Sequence, residues 1–134
     1  MTAAAVGLAN IQRRRERRRL EKLAAQWKLH YSEGDCFRLA PRVALSLSVP
    51  GAAGVRVYDL LYGLEDRGYR YLFRTEYTIG VLRGKTTIRN VATFCEPKDA
   101  HKGDPIKLIF APESLPLTEQ YKHLYEASRE GGGS

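Results

Sequence analysis

Three β-rich stretches follow one another with almost nothing between them: Val55 to Leu64, Tyr69 to Ile79 and Thr86 to Cys95. Each is dense in β-branched and aromatic residues, the side chains that suit a pleated, half-buried surface. Glu65-Asp66-Arg67-Gly68 joins the first pair and the turn at Arg83-Gly84-Lys85 joins the second. A parallel pair would need a crossover of a dozen or more residues, so consecutive stretches must pair antiparallel. Whatever else the chain does, it folds around this meander.

The flanks read differently. Leu20, Leu23, Ala24, Trp27 and Tyr31 keep the i, i+3, i+4 spacing of one helical face. Ser32 to Asp35, with Gly34, reads as the stop, and Pro41 as a further boundary. Val43, Leu45, Leu47 and Val49 then alternate with Ala44, Ser46 and Ser48, which predicts a strand, and Pro50 to Gly54 reads as a turn. A further strand is expected over Ile106 to Ala111, after the polar loop Glu96 to Pro105. Leu117, Tyr121, Leu124, Tyr125 and Ser128 return to helical spacing, with Thr118 as N-cap. The predicted fold is α+β: an antiparallel sheet of about five strands, with an N-terminal and a C-terminal helix packed on one face. It divides into a basic N-terminal extension over residues 1–19, partly helical or flexible, one domain over 20–130, and a flexible tail from Gly131 to Ser134.

At 134 residues and 43% hydrophobic content the chain can bury a core as a single domain. No apolar stretch approaches the roughly 18 to 20 residues that span a bilayer. The small apolar residues Met1 to Ala9 precede the basic cluster, reversing the charge order of a secretory signal, and the lack of serines argues against a transit peptide. A cytoplasmic setting, with membrane association as the variant of it, is the expectation.

Charge is concentrated in one place. Arg13 to Arg19 reads RRRERRR, six arginines and Glu16, and carries five of the seven net positive charges, leaving two for the other 127 residues. Arginine binds phosphate and carboxylate bidentately, so Arg13, Arg14, Arg15, Arg17, Arg18 and Arg19 are the candidate anion-binding residues. Extended back from Leu20, the apolar stripe ends at the cluster, which predicts about two helical turns projecting with charge all round. Neutralising about six phosphates would give a log-log salt slope near −4 to −5.

Two motifs fall short. Gly80-Val81-Leu82-Arg83-Gly84-Lys85-Thr86 ends like a phosphate-binding loop, but its glycines stand one residue too close and a β-like run follows where a helix is required. Arg67 to Arg74 matches six of the eight positions of the RNA-recognition octapeptide, yet that fold needs a helix between its first two strands, and only the turn Pro50 to Gly54 separates the first two expected here. Tyr69, Tyr71, Phe73 and Tyr77 are then the core face of a strand, and Arg70, Arg74 and Glu76 lie outward in water, with Arg70 and Arg74 a secondary anion-binding surface. The alternative makes the aromatic face a stacking platform.

His30, His101 and His123 lack metal-ligand spacing, and Cys36 and Cys95, 59 positions apart, form no C-x-x-C. His123 with Glu119 or Glu126 is the nearest approach to an acid-base pair. No catalytic residue, cofactor, metal or small-molecule substrate is predicted.

The stretch Arg17 to Leu39, RRRLEKLAAQWKLHYSEGDCFRL, with Tyr58 to Gly63 and the hairpin to Tyr69–Phe73, resembles a group of uncharacterised bacterial proteins in which a basic helix leads into a β-hairpin domain. The resemblance spans residues 13–95 and implies a bacterial cytoplasmic or membrane-adjacent setting, without a catalytic residue. The expected function is a non-enzymatic binding or adaptor module that meets a polyanion, nucleic acid first, through the arginine helix. The alternatives are an anionic membrane surface and a protein partner, held by the helix and by strand addition at a sheet edge.

Overall fold

A computed structural model describes residues 3–47, 49–81, 84–101 and 103–131. Helix α1 runs over Ala3–Gln26, followed by β1 (His30–Ser32), α2 (Leu39–Ser46), β2 (Ala52–Glu65), β3 (Gly68–Val81), β4 (Gly84–Glu96), β5 (Ile109–Phe110) and α3 (Leu117–Gly131). The five strands form one sheet in chain order, every neighbouring pair antiparallel. The fold is α+β, as the meander requires.

The two hairpins are tight. Glu65 pairs with Gly68 and Val81 with Gly84; Leu82 and Arg83 of the second turn lie outside the described residues. Gly68 sits at φ 143°, and a Cβ there would stand 2.0 Å from the Glu96 carbonyl oxygen, so the neighbouring strand leaves room for no other residue.

Helices cover both faces of the sheet. On one, Leu20, Leu23 and Ala24 of α1 and Tyr121, Leu124 and Tyr125 of α3 pack with Leu61, Leu72 and Val91. The N- and C-terminal helices thus share a face, and Trp27 stacks on Tyr125 with centroids 4.1 Å apart. On the other, Leu39 and Val43 of α2 pack with Val57, Leu60, Tyr71, Phe73 and Phe94. Tyr71, Phe73 and Tyr77 are buried, which makes the aromatic stripe a core face, with Tyr69 at its exposed end.

Several expectations fail for local reasons. The strand expected from Val43 is the helix α2; Leu45, which alternation would bury, is 90% exposed. Leu39, Val43 and Leu47 are four apart, a spacing common to both periods, and the Asp35 carboxylate accepts from the Leu39 and Ala40 amides at 2.7 and 2.8 Å, nucleating the helix. Ser48, part of the same expected strand, lies outside the described residues. Helix α1 stops at Gln26 because Lys28 turns left-handed at φ 60°, with Leu29 N–H bonded to the Ala24 carbonyl and Lys28 N–H to that of Ala25. This is a Schellman closure without glycine. Trp27 and Tyr31 therefore leave the helix, and Tyr31 lies on β1.

Only Ile109–Phe110 of the expected last strand joins the sheet, since Pro105 and Pro112 flank the segment and cannot donate to a ladder. Thr118 is the second residue of α3 rather than its cap. Gly131 closes that helix, and residues 132–134 of the expected tail are outside the described ones. Among the described residues no helix is long and apolar enough to cross a membrane.

Candidate functional site

Strand β2 carries two irregularities against β3, each placing one extra residue in β2: between Ala53 and Arg56, and between Tyr58 and Leu61. Gly54 takes φ 64° at the first. At the second it is Asp59, at φ 51°, a left-handed conformation that an aspartate tolerates better than most side chains. One extra residue changes which face every later side chain meets. Tyr58 and Leu61 consequently lie on the same face, opposite Arg74 and Leu72 respectively.

The bulge also puts a carboxylate inside the protein. Asp59 is 0% exposed and is surrounded by donors. Arg13 Nη1 and Nη2 donate to it bidentately at 2.6 and 2.8 Å, Tyr31 Oη at 2.6 Å and Arg74 Nη1 at 3.3 Å. Its own N–H donates to the Glu33 carbonyl, and its carbonyl accepts from Tyr121 Oη at 2.6 Å. Burial alone would raise the Asp59 carboxyl, but the hydrogen bonds from Arg13 and Tyr31, with the charges of Arg13 and Arg74, outweigh it and hold the group below the usual carboxylate range. The Asp59 hydrogen bonds in turn fix the Arg13 guanidinium in its charged form, above its already high ordinary value. Burial, then the Asp59 bond, pushes the Tyr31 hydroxyl up.

Further pairs continue this clasp along α1. Glu16 accepts from Arg74 at 3.1 Å, and Arg17 bridges Glu33 at 3.0 Å and Glu21 at 3.2 Å. The turns from Arg13 to Arg17 therefore do not project with charge all round; their inner side is docked on the sheet by ion pairs. Helix α1 runs without a break through residue 19, from Ala3 to Gln26.

The six arginines divide accordingly. Arg13, half-buried, and Arg17, exposed, are held in ion pairs. Arg14, Arg15, Arg18 and Arg19 are exposed, and among the described residues none of them forms an ion pair. At about 100° per residue these four share the outer face with Lys22, and no acid stands between them. Leu8 and Ile11, 64% and 45% exposed, lie on the same face nearer the N-terminus.

Of the secondary candidates, Arg70 is no surface residue. It is buried, pairs with Glu65, donates to the Tyr125 carbonyl at 3.3 Å and stacks over that ring at 5.0 Å. Arg74 is half-buried in the Asp59 clasp. Both point to the face that α1 and α3 cover, which is why neither lies outward in water.

A cleft of about 500 Å³ opens where α1 passes over the outer half of β2, β3 and β4. Ala9, Gln12, Arg13 and Glu16 line its helical side, and Arg56, Tyr58, Arg74, Glu76 and Arg89 its floor. The Tyr58 ring has three guanidinium carbons around it: Arg74 at 5.0, Arg56 at 5.1 and Arg13 at 5.9 Å. Reading residue types missed Asp59, Tyr58, Arg56 and Arg89. The signal for Asp59 was an aspartate in mid-strand, where that residue is rare.

The histidines stay apart, on β1, in the loop before β5 and on α3. Glu119 pairs with Lys122 rather than His123. Cys36 and Cys95 are free and exposed. Among the described residues no three His, Cys, Asp or Glu side chains group as metal ligands. No protein-family model, curated protein or solved structure matches the chain.

Proposed function

We propose that the protein is a binding or adaptor module that holds a polyanion, nucleic acid first, on the outer face of α1. The observation that carries this reading is the division of the arginine run. Arg13 and Arg17 are engaged by Asp59, Glu33 and Glu21, while Arg14, Arg15, Arg18, Arg19 and Lys22 stand on one face without an acidic partner among the described residues. Guanidiniums held on a folded helix can take phosphates with little further ordering.

With five contacts instead of six, the log-log salt slope of binding to a random oligonucleotide is expected near −3.5 to −4.5, at roughly 0.7 to 0.9 per phosphate. The variant R14Q/R15Q/R18Q/R19Q loses most of that slope. R13Q/R17Q keeps it and loses stability instead. Equal binding by the wild type and the outer-face variant overturns the reading.

Leu8 and Ile11 favour one second reading, an anionic membrane surface, because exposed aliphatics beside basic residues suit an interfacial helix. Co-sedimentation with anionic vesicles, lost in L8S/I11S while oligonucleotide binding persists, identifies that case.

A further inference from the structure

The floor of the cleft beside α1 holds a charge that the fold leaves uncompensated. Arg56 Nη1 lies 2.9 Å from one oxygen of Glu76, and Arg89 Nη2 lies 3.4 Å from the other. Glu76 is the sole acid paired with either arginine among the described residues. The other acids lining the cleft are engaged: Glu16 with Arg13 and Arg74, Glu33 with Arg13 and Arg17. One carboxylate thus serves two guanidiniums. Each meets it through a single nitrogen, leaving further donors on each fork.

These side chains are also accessible, Arg56 being 66% and Arg89 63% exposed while Glu76 is only 18% so. They stand beside Tyr58, with Gln12 of α1 on the opposite wall. The arrangement differs from the outer face of α1, where cations line a convex helix: here they converge on a concavity of about 500 Å³. Two converging forks suit a compact anion whose several oxygens can be shared between them.

We infer that this cleft is a second anion site, taking a phosphate or phosphomonoester group between Arg56 and Arg89, in competition with Glu76. The site adds a small-anion ligand that the residue pattern does not foretell, and it stands independently of polyanion binding on α1.

The test is a titration of inorganic phosphate into the R14Q/R15Q/R18Q/R19Q protein, which removes the outer face, following the arginine Nε–Hε and Tyr58 ring resonances. Saturable shifts at Arg56 and Arg89 are expected. R56Q/R89Q weakens binding roughly tenfold or more, since each lost charge-assisted hydrogen bond is worth about a decade. E76Q, which removes the competing carboxylate, tightens it by severalfold. That opposite sign separates a site from a variant that merely unfolds. Comparing a 5′-phosphorylated with a 5′-hydroxyl dinucleotide identifies the source: a preference for the phosphorylated one over inorganic phosphate points to a nucleotide or strand end, and equal affinity of the two phosphates points to the free ion. Absence of a saturable shift at millimolar phosphate, or wild-type affinity in both R56Q/R89Q and E76Q, overturns the inference, whether or not the outer face binds oligonucleotide.

Discussion

Asp59 ties four parts of the chain together, and its chemistry sets how the protein responds to substitution and to pH. Asp59→Ala deletes the acceptor of Arg13, Tyr31 and Arg74 and leaves a non-glycine residue without a polar side chain at φ 51°. Breaking a buried charge pair costs about 3 to 5 kcal/mol, and that is the expected loss in urea unfolding. Asp59→Asn should cost less, because asparagine tolerates the left-handed conformation and still accepts from Tyr31. The pH dependence follows from the directions of the shifts. Asp59 is held below its ordinary value, so its contribution is present above the unfolded carboxylate pKa and is lost as acid is added below about pH 4. Tyr31, Tyr71 and Tyr121 are all pushed up, chiefly by burial, so their contribution is intact below the unfolded tyrosine value and is lost as the solution rises above about pH 10. Thermal melts across both limits should show a plateau between them, and a melting temperature that survives at pH 3 in the wild type would contradict the first half.

At the scale of elements, the end of α1 and the first hairpin make opposite predictions for glycine. Lys28 occupies the left-handed position that closes α1, so Lys28→Gly should stabilise the protein by about 0.5 to 1 kcal/mol, the relief of the strain less the entropy glycine adds to the unfolded chain. Gly68→Ala should destabilise by several times as much, because the added carbon meets the Glu96 carbonyl. Chemical denaturation of both variants reads both signs. The same two places show why some elements are legible in the amino-acid order and others are not. The meander was legible because short connections leave antiparallel pairing as the single option, and α3 because Pro116 and a clean helical period mark it. The end of α1 was not, since lysine stands where glycine would have announced the stop and Trp27 and Tyr31 continue the spacing. Helix α2 was not, because residues four apart satisfy both periods; Asp35 ahead of Pro41 was the overlooked start signal. The arginine face was half legible. Its composition is evident, but its phase depends on Asp59, 46 residues away from Arg13, which no local pattern reports.

For the molecule as a whole, α1 is attached in two ways. Leu20, Leu23 and Ala24 anchor its C-terminal end by apolar packing, while Arg13, Glu16 and Arg17 hold its middle by ion pairs with the sheet and with the segment before α2. The exposed and half-exposed pairs of Glu16, Arg17 and Glu33 are screened by salt, the bond from Arg13 to the buried Asp59 much less, and apolar contacts are not. Amide exchange over residues 8–17 should therefore quicken at high salt, while that over 20–26 stays unchanged; uniform protection along the helix would refute the distinction. The bulge at Asp59 has a consequence of another kind, for chain length. Because Asp59 is the extra residue, deleting it would set Leu60 between the Tyr58–Arg74 and Leu61–Leu72 pairs in an unbroken ladder, with Leu60 still beneath α2 and Leu61 still beneath α1. A chain shorter by one residue within the regular β3–β4 ladder would have to turn half a strand inside out, whereas a chain shorter by Asp59 loses its carboxylate and keeps its strand in phase. Tolerance of length variation along the meander should thus be lowest inside the β3–β4 ladder and higher at position 59, and insertion and deletion scanning would chart it as substitution scanning cannot.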